Sequence, residues 1–211
     1  MYIKSFIFND FQENTYVLYD DTKECVIIDP GCYQKHEKEE LTDFIGSNNL
    51  KPVKLINTHC HIDHVLGNAF VAEHYNLTLY FHQDELKTYD GTARWADLFG
   101  LVLNQKPEKM QFINEGETIT FGNTTLDILF TPGHSVASLT FVHHPTKNII
   151  AGDVLFYLSI GRTDLPGGNF EILKNSITQK LFTLPADYKV YSGHGPTTNI
   201  GFEKANNPFL K

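Results

Sequence analysis

Four metal-binding side chains crowd into six residues, in the run His59-Cys60-His61-Ile62-Asp63-His64. Residues 53–58 just before it are largely apolar and β-branched, and they read as a strand. Residues 63–75 read as a helix whose buried stripe is Val65, Leu66, Ala69 and Phe70. The run therefore sits where a strand hands over to a helix. In extended chain, residues i and i+2 point the same way, so His59 and His61 can share one ion. The change of backbone geometry that follows can aim Asp63 and His64 at a second point nearby.

Three more candidates recur later, each beside glycine at the end of a predicted strand. They are His134 after Gly133, Asp153 after Gly152, and His194 between Gly193 and Gly195. Strand ends in packed sheets converge on one edge, and loops there commonly carry function. Five imidazoles with two carboxylates suit zinc, iron or manganese and are too nitrogen-rich for calcium or magnesium. Seven ligands exceed one tetrahedral ion and suit two ions that share a carboxylate, roughly 3.5–4 Å apart. The other five histidines (His36, His74, His82, His143 and His144) follow no such pattern and read as ordinary side chains.

The rest of the chain supports a mixed fold. Strands are predicted at Tyr2–Phe8 and at 15–19, 25–28 and 77–81, with a helix at 35–47 and a helical or irregular stretch at 83–100 broken by Gly91 and Gly100. A second series of strands follows at Thr118–Phe121 and at 125–130, 138–143 and 149–151. Next come a helix at 171–184 with Asn169 as its cap, a strand at 189–191 and a short terminal helix. This order suggests two similar β/α halves with packed sheets and helices outside.

Composition narrows the function classes. The 211 residues carry 17 Lys+Arg against 25 Asp+Glu, a formal charge of −8, which argues against nucleic acid or an anionic membrane as partner. No stretch approaches the roughly 20 apolar residues of a membrane span, and no signal peptide is legible. Three scattered cysteines (Cys25, Cys32 and Cys60) make no disulfide framework, so a reducing, cytoplasmic setting is expected. Oligomeric state is not readable.

The histidine run and the three later ligands resemble the metallo-β-lactamase fold superfamily over essentially the whole chain. The segment Gly161-Arg162-Thr163-Asp164-Leu165-Pro166-Gly167-Gly168 is similar to that of short glyoxalase II-like metallohydrolases. The resemblance implies an α+β fold, a four-layer αββα sandwich in a single domain over 1–211. It implies that His59, His61 and His134 bind one divalent ion, that Asp63, His64 and His194 bind another, and that Asp153 bridges both. Zinc is the first expectation, with iron or manganese as alternatives. Asp63 and Asp153 are the implied catalytic carboxylates, Asp63 orienting the attacking hydroxide. The implied activity is hydrolysis of a small thioester such as S-lactoylglutathione.

Relatives with other chemistry depart at single positions. Flavodiiron reductases carry glutamate where His61 stands, and class B1 β-lactamases carry cysteine where Asp153 stands. A mononuclear iron persulfide dioxygenase is the alternative, though its related segment continues Phe-Gln where this chain has Leu165-Pro166. A lactone or other ester hydrolase on the same site stays open. Only seventeen residues follow His194, so the helical glutathione-binding domain of full-length glyoxalase II is expected to be absent. Arg162 and Tyr157 are candidate substrate-binding residues. For Arg162 the competing reading is an ion pair with Asp164.

Overall fold

The computed structural model describes residues 1–103 and 105–211. They form two compact units, Met1–Ile113 with Thr120–Thr124, and Asn114–Ile119 with Thr125–Lys211.

The first unit runs β1 (Tyr2–Phe8), β2 (Glu13–Tyr19), β3 (Glu24–Ile28), α1 (Lys35–Ser47), β4 (Lys51–Ile56), α2 (Ile62–Val65), α3 (Asn68–Tyr75), β5 (Leu79–Phe81), α4 (Leu86–Phe99) and β6 (Met110–Phe112). Its sheet has the order β1-β2-β3-β4-β5-β6. The β1–β2 and β2–β3 pairs are antiparallel, and β3 to β6 are parallel. The helical crossovers that parallel strands require are α1 between β3 and β4 and α3 between β4 and β5. The core is apolar, built from Val17, Ile27, Leu41, Leu55, Val71 and Leu79 among others.

A second sheet follows from β7 (Thr118–Phe121), β8 (Thr124–Phe130), β9 (Leu139–His143) and β10 (Asn148–Gly152). After it come the small hairpin β11 (Leu155–Phe156) and β12 (Ser159–Ile160), then α5 (Phe170–Gln179), β13 (Lys189–Ser192), β14 (Thr198–Asn199) and α6 (Ile200–Asn206). The sheet order is β14-β13-β10-β9-β8-β7, with β10 parallel to β13. Ile149, Val190, Leu173 and Ile177 centre the core of the second unit. Among the described residues no helix is long and apolar enough to cross a membrane.

Three expectations are corrected. The helix expected at 63–75 is two helices, broken at Leu66-Gly67. The Gly67 N–H donates to the Pro30 carbonyl at 2.7 Å, and a Cβ there would lie 2.5 Å from Cys32 Sγ. That tight contact with the 30–32 loop competes with continuous helix. Gly91 does not interrupt its helix, because α4 runs through it; one glycine costs only about 1 kcal/mol there. The helix expected at 171–184 stops at Gln179, and residues 181–183 form a single 3-10 turn. The exposed edge strand β6 and the two-residue strands β11, β12 and β14 were not legible, since they carry too few residues to show a period.

Asn169 caps α5 as expected, its side chain accepting from the Ile172 N–H at 3.1 Å. The helix secures the loop that carries His134. Its first turn packs Leu173 against Gly133, where a Cβ would lie 2.2 Å from the Leu173 nitrogen. Ser176 donates to the Pro132 carbonyl at 2.7 Å. Leu173→Ala is expected to destabilise the protein by about 2–5 kcal/mol, read by urea unfolding, since Leu173 is fully buried. A loss below about 1 kcal/mol would show that this helix is not the anchor described.

Candidate metal centre

In the first unit, topology sets up a ligand cradle. β3 and β4 are parallel neighbours, with Ile28 opposite Ile56, so the residues beyond their carboxyl ends lie side by side. Asp29 follows β3, and Asn57, Thr58 and His59 follow β4. One Asp29 oxygen, Oδ1, accepts the Thr58 N–H at 2.7 Å and the Asn57 amide at 3.2 Å. The other, Oδ2, accepts the Thr58 hydroxyl at 2.6 Å and the His64 Nδ1–H at 3.1 Å.

These contacts fix two tautomers. The Thr58 hydroxyl donates its hydrogen bond to Asp29, so its oxygen accepts the His59 Nδ1–H, 3.0 Å away. With Nδ1 protonated in both rings, Nε2 is left as the lone-pair nitrogen of His59 and of His64. The rings of His59 and His64 are 4.2 Å apart, and those of His59 and His61 are 4.7 Å apart. Asp63 Oδ2 stands 3.7 Å from His64 Nε2. The run thus brings its three imidazoles and the Asp63 carboxylate close to one another.

Asp29, His59 and His64 are themselves close enough to hold an ion. Four hydrogen bonds already occupy the Asp29 carboxylate, so its role is to orient ligands. This residue escaped the sequence reading. Its one signal is a carboxylate placed directly after the apolar strand that precedes the ligand strand.

Other buried groups brace the same loops. Glu85, fully buried, accepts the Cys60 N–H at 3.0 Å between the two histidines. Burial pushes the Cys60 thiol well above its ordinary range, so it is a poor ligand and nucleophile. The Asn9 side chain donates to the carbonyls of Gly31 and Asp63, both at 3.0 Å. Burial raises the Glu13 carboxyl well above its usual value, opposed by the nearby His64 ring.

In the second unit, β10 and β13 are parallel and Gly152 pairs with Ser192, which sets Asp153 beside the turn that carries His194. The Gly193 N–H donates to the Gly152 carbonyl at 2.8 Å and closes that turn. His134 arrives from the end of β8. One oxygen, Asp153 Oδ2, lies 3.5 Å from His134 Nε2 and 3.6 Å from His194 Nε2. The His134 Nδ1–H donates to the Arg162 carbonyl at 2.8 Å, so its Nε2 too is left as the lone-pair nitrogen.

The approach that allows this is close. A Cβ on Gly161 would lie 1.9 Å from the Asp153 carbonyl and 3.0 Å from the His134 ring. The Arg162 side chain makes two 2.7 Å hydrogen bonds to Asp164, whose carboxyl they pull down to about 2. Tyr157 is half exposed on the β11–β12 turn.

The five remaining histidines join none of these groups. His82 accepts the Asp84 N–H, His143 meets Thr146, and His144 lies between Tyr188 and Asp127. The donor set therefore fits borderline divalent ions, with the proton of each of three rings directed away from the ligand atom.

The sequence profile described as "Metallo-beta-lactamase superfamily" matches residues 8–194, and the chain belongs to that superfamily of metal-dependent hydrolases. The chain is 38% identical over 201 residues to "Probable metallo-hydrolase YqgX" of Bacillus subtilis, covering 94% of this chain and 92% of that one. It is 36% identical over 203 residues to "Hydroxyacylglutathione hydrolase GloC" of Haemophilus influenzae, covering 95% and 93%. The crystal structure of TTHA1623 in a di-iron-bound form matches with a TM-score of 0.87 at 33% identity, covering all of both chains. The α+β metallo-β-lactamase fold expected from the motifs is thereby established.

Asp29→Asn keeps the size of the side chain and suits the left-handed backbone at this position, where φ is +50°. It is expected to fold and to lose roughly 10–100-fold in zinc affinity, measured by competition with a chelating dye. Wild-type affinity would remove Asp29 from its orienting role.

Proposed function

We propose that the seven candidate ligands hold two divalent ions and that the protein hydrolyses the thioester of a small molecule of the S-lactoylglutathione type. The observation that carries this reading is the complete set of seven ligands, with the tautomers of His59, His64 and His134 set by hydrogen bonds that leave Nε2 as the donor. His59, His61 and His134 would hold one ion, and Asp63, His64 and His194 the other. Asp153 would serve both, which agrees with its one oxygen standing near two imidazoles. Similarity to a hydroxyacylglutathione hydrolase supports the thioester, and similarity to a di-iron-bound structure supports iron beside zinc as the metal.

Such a metal pair, when bound, acidifies water towards neutral pH and stabilises negative charge on the carbonyl oxygen under attack. The protein's own contribution is orientation. Asp63, held through its backbone carbonyl by Asn9, directs the attacking water and accepts its proton. Asp29 and Thr58 keep the two rings of the first unit in register, and the Arg162 carbonyl does the same for His134. A thiolate leaves without a strong protein acid, which agrees with the absence of any required proton donor from the proposed set.

Zinc-, iron- and manganese-loaded protein is expected to bind two ions per chain and to cleave S-lactoylglutathione with at least one metal. One iron per chain, with oxygen uptake on glutathione persulfide, would instead indicate the dioxygenase. Asp153→Ala is expected to lose activity and to fall below two ions per chain by metal analysis, and wild-type stoichiometry would contradict the shared role.

A further inference from the structure

The β11–β12 hairpin begins two residues after Asp153 and has no part in the proposed hydrolytic step. Its turn is Tyr157-Leu158, and Leu158 sits at φ +54°, left-handed backbone that a branched side chain rarely adopts. Strain of this kind persists only where the surroundings impose it. Here α6 imposes it. The Leu158 N–H donates to Glu203 Oε2 at 3.0 Å, and that carboxylate is fully buried. Glu203 also accepts the Thr198 hydroxyl and the Asn207 amide. Asn207, buried as well, donates to the Ser159 carbonyl at 2.9 Å on the other side of the turn. A buried carboxylate and a buried amide thus clamp both flanks of one strained turn.

The clamped turn presents apolar side chains. Phe156 stands edge-on to the His194 ring, with centroids 6.3 Å apart at 84°. Tyr157 stacks on Phe202, 5.2 Å apart at 7°, and is still 47% exposed. Leu158 is 36% exposed. The three side chains of the turn, Phe156, Tyr157 and Leu158, are thus aromatic or aliphatic. The nearest cation along the chain, Arg162, is already committed to Asp164 through both hydrogen bonds.

We propose that the Phe156–Tyr157–Leu158 turn is a rigid platform that selects substrates with a hydrocarbon arm next to the scissile group, and that Glu203 and Asn207 are its positioning residues. This rests on the thioester reading above and names the substrate class within it. The arm can belong to the acyl or to the thiol side, and the test separates the two.

The experiment uses the zinc-loaded full chain and two series of thioesters. One lengthens the acyl group from acetyl to hexanoyl on a fixed thiol, and the other lengthens the S-alkyl group from methyl to hexyl on a fixed acetyl. The matching thioethers, which cannot be cleaved, are titrated by calorimetry. Along one series KM and the thioether Kd are expected to fall by at least about tenfold, and the other series is expected to stay flat. Tyr157→Ala and Leu158→Gly are expected to flatten the steep series.

Glycine suits φ +54°, so Leu158→Gly should melt no lower than wild type, and its flattening is then not unfolding. Glu203→Ala should flatten the series, and Glu203→Gln, which can still accept the Leu158 N–H, should restore it. Two flat series in the wild type, or a steep series that Tyr157→Ala leaves intact, would overturn the platform. Thioesters cleaved with flat series would leave the hydrolase reading standing alone. A steep, Tyr157-dependent thioether series without cleavage would leave only the platform.

Discussion

The candidate centre depends on one carboxylate, that of Asp29. It accepts four hydrogen bonds from the residues that build the ligand run, and through them it orients two imidazoles. Neutral imidazole can donate from either ring nitrogen, and a site whose tautomers are unset must select them when an ion arrives. Here that selection is made in the fold. The cost is a buried acidic side chain on left-handed backbone, 2% exposed at φ +50°. Parallel pairing of β3 and β4 makes the arrangement possible, because it sets the end of one strand beside the end of the next.

The second unit repeats the logic with backbone in place of side chains. Parallel β10 and β13 bring Asp153 beside the His194 turn, and a carbonyl at Arg162 fixes the His134 ring. Glycine at 161 is required because the chain passes too close to Asp153 for any side chain. Placement of the candidate ligands in each unit is thus a property of strand order, and the loops only complete it. That agrees with the tendency of sheets to carry sites beyond the carboxyl ends of parallel strands.

The candidate ligands stand out in the sequence and the groups that support them do not. His59, His61, Asp63 and His64 announce themselves by density, and His134, Asp153 and His194 by glycine at strand ends. Asp29 is 29 residues from Thr58 and 35 from His64, and the pairing that brings them together is set by a crossover that no local pattern records. Glu203 is likewise 45 residues from the turn it holds. The break at Gly67 and the short strand pair β11–β12 were missed for the same reason, since each is decided by contacts distant in the chain or too brief for periodicity. Arg162 shows the converse. Its ion pair with Asp164 was anticipated because the partners are two residues apart.

The central claim is the proposal that the seven candidate ligands hold two ions with Asp153 shared between them. Anomalous diffraction from crystals of the zinc-loaded protein tests it most directly. The account predicts two peaks roughly 3.5–4 Å apart, each within bonding distance of an Asp153 oxygen. A single peak on His59, His61 and His134, or two peaks neither of which touches Asp153, would contradict it.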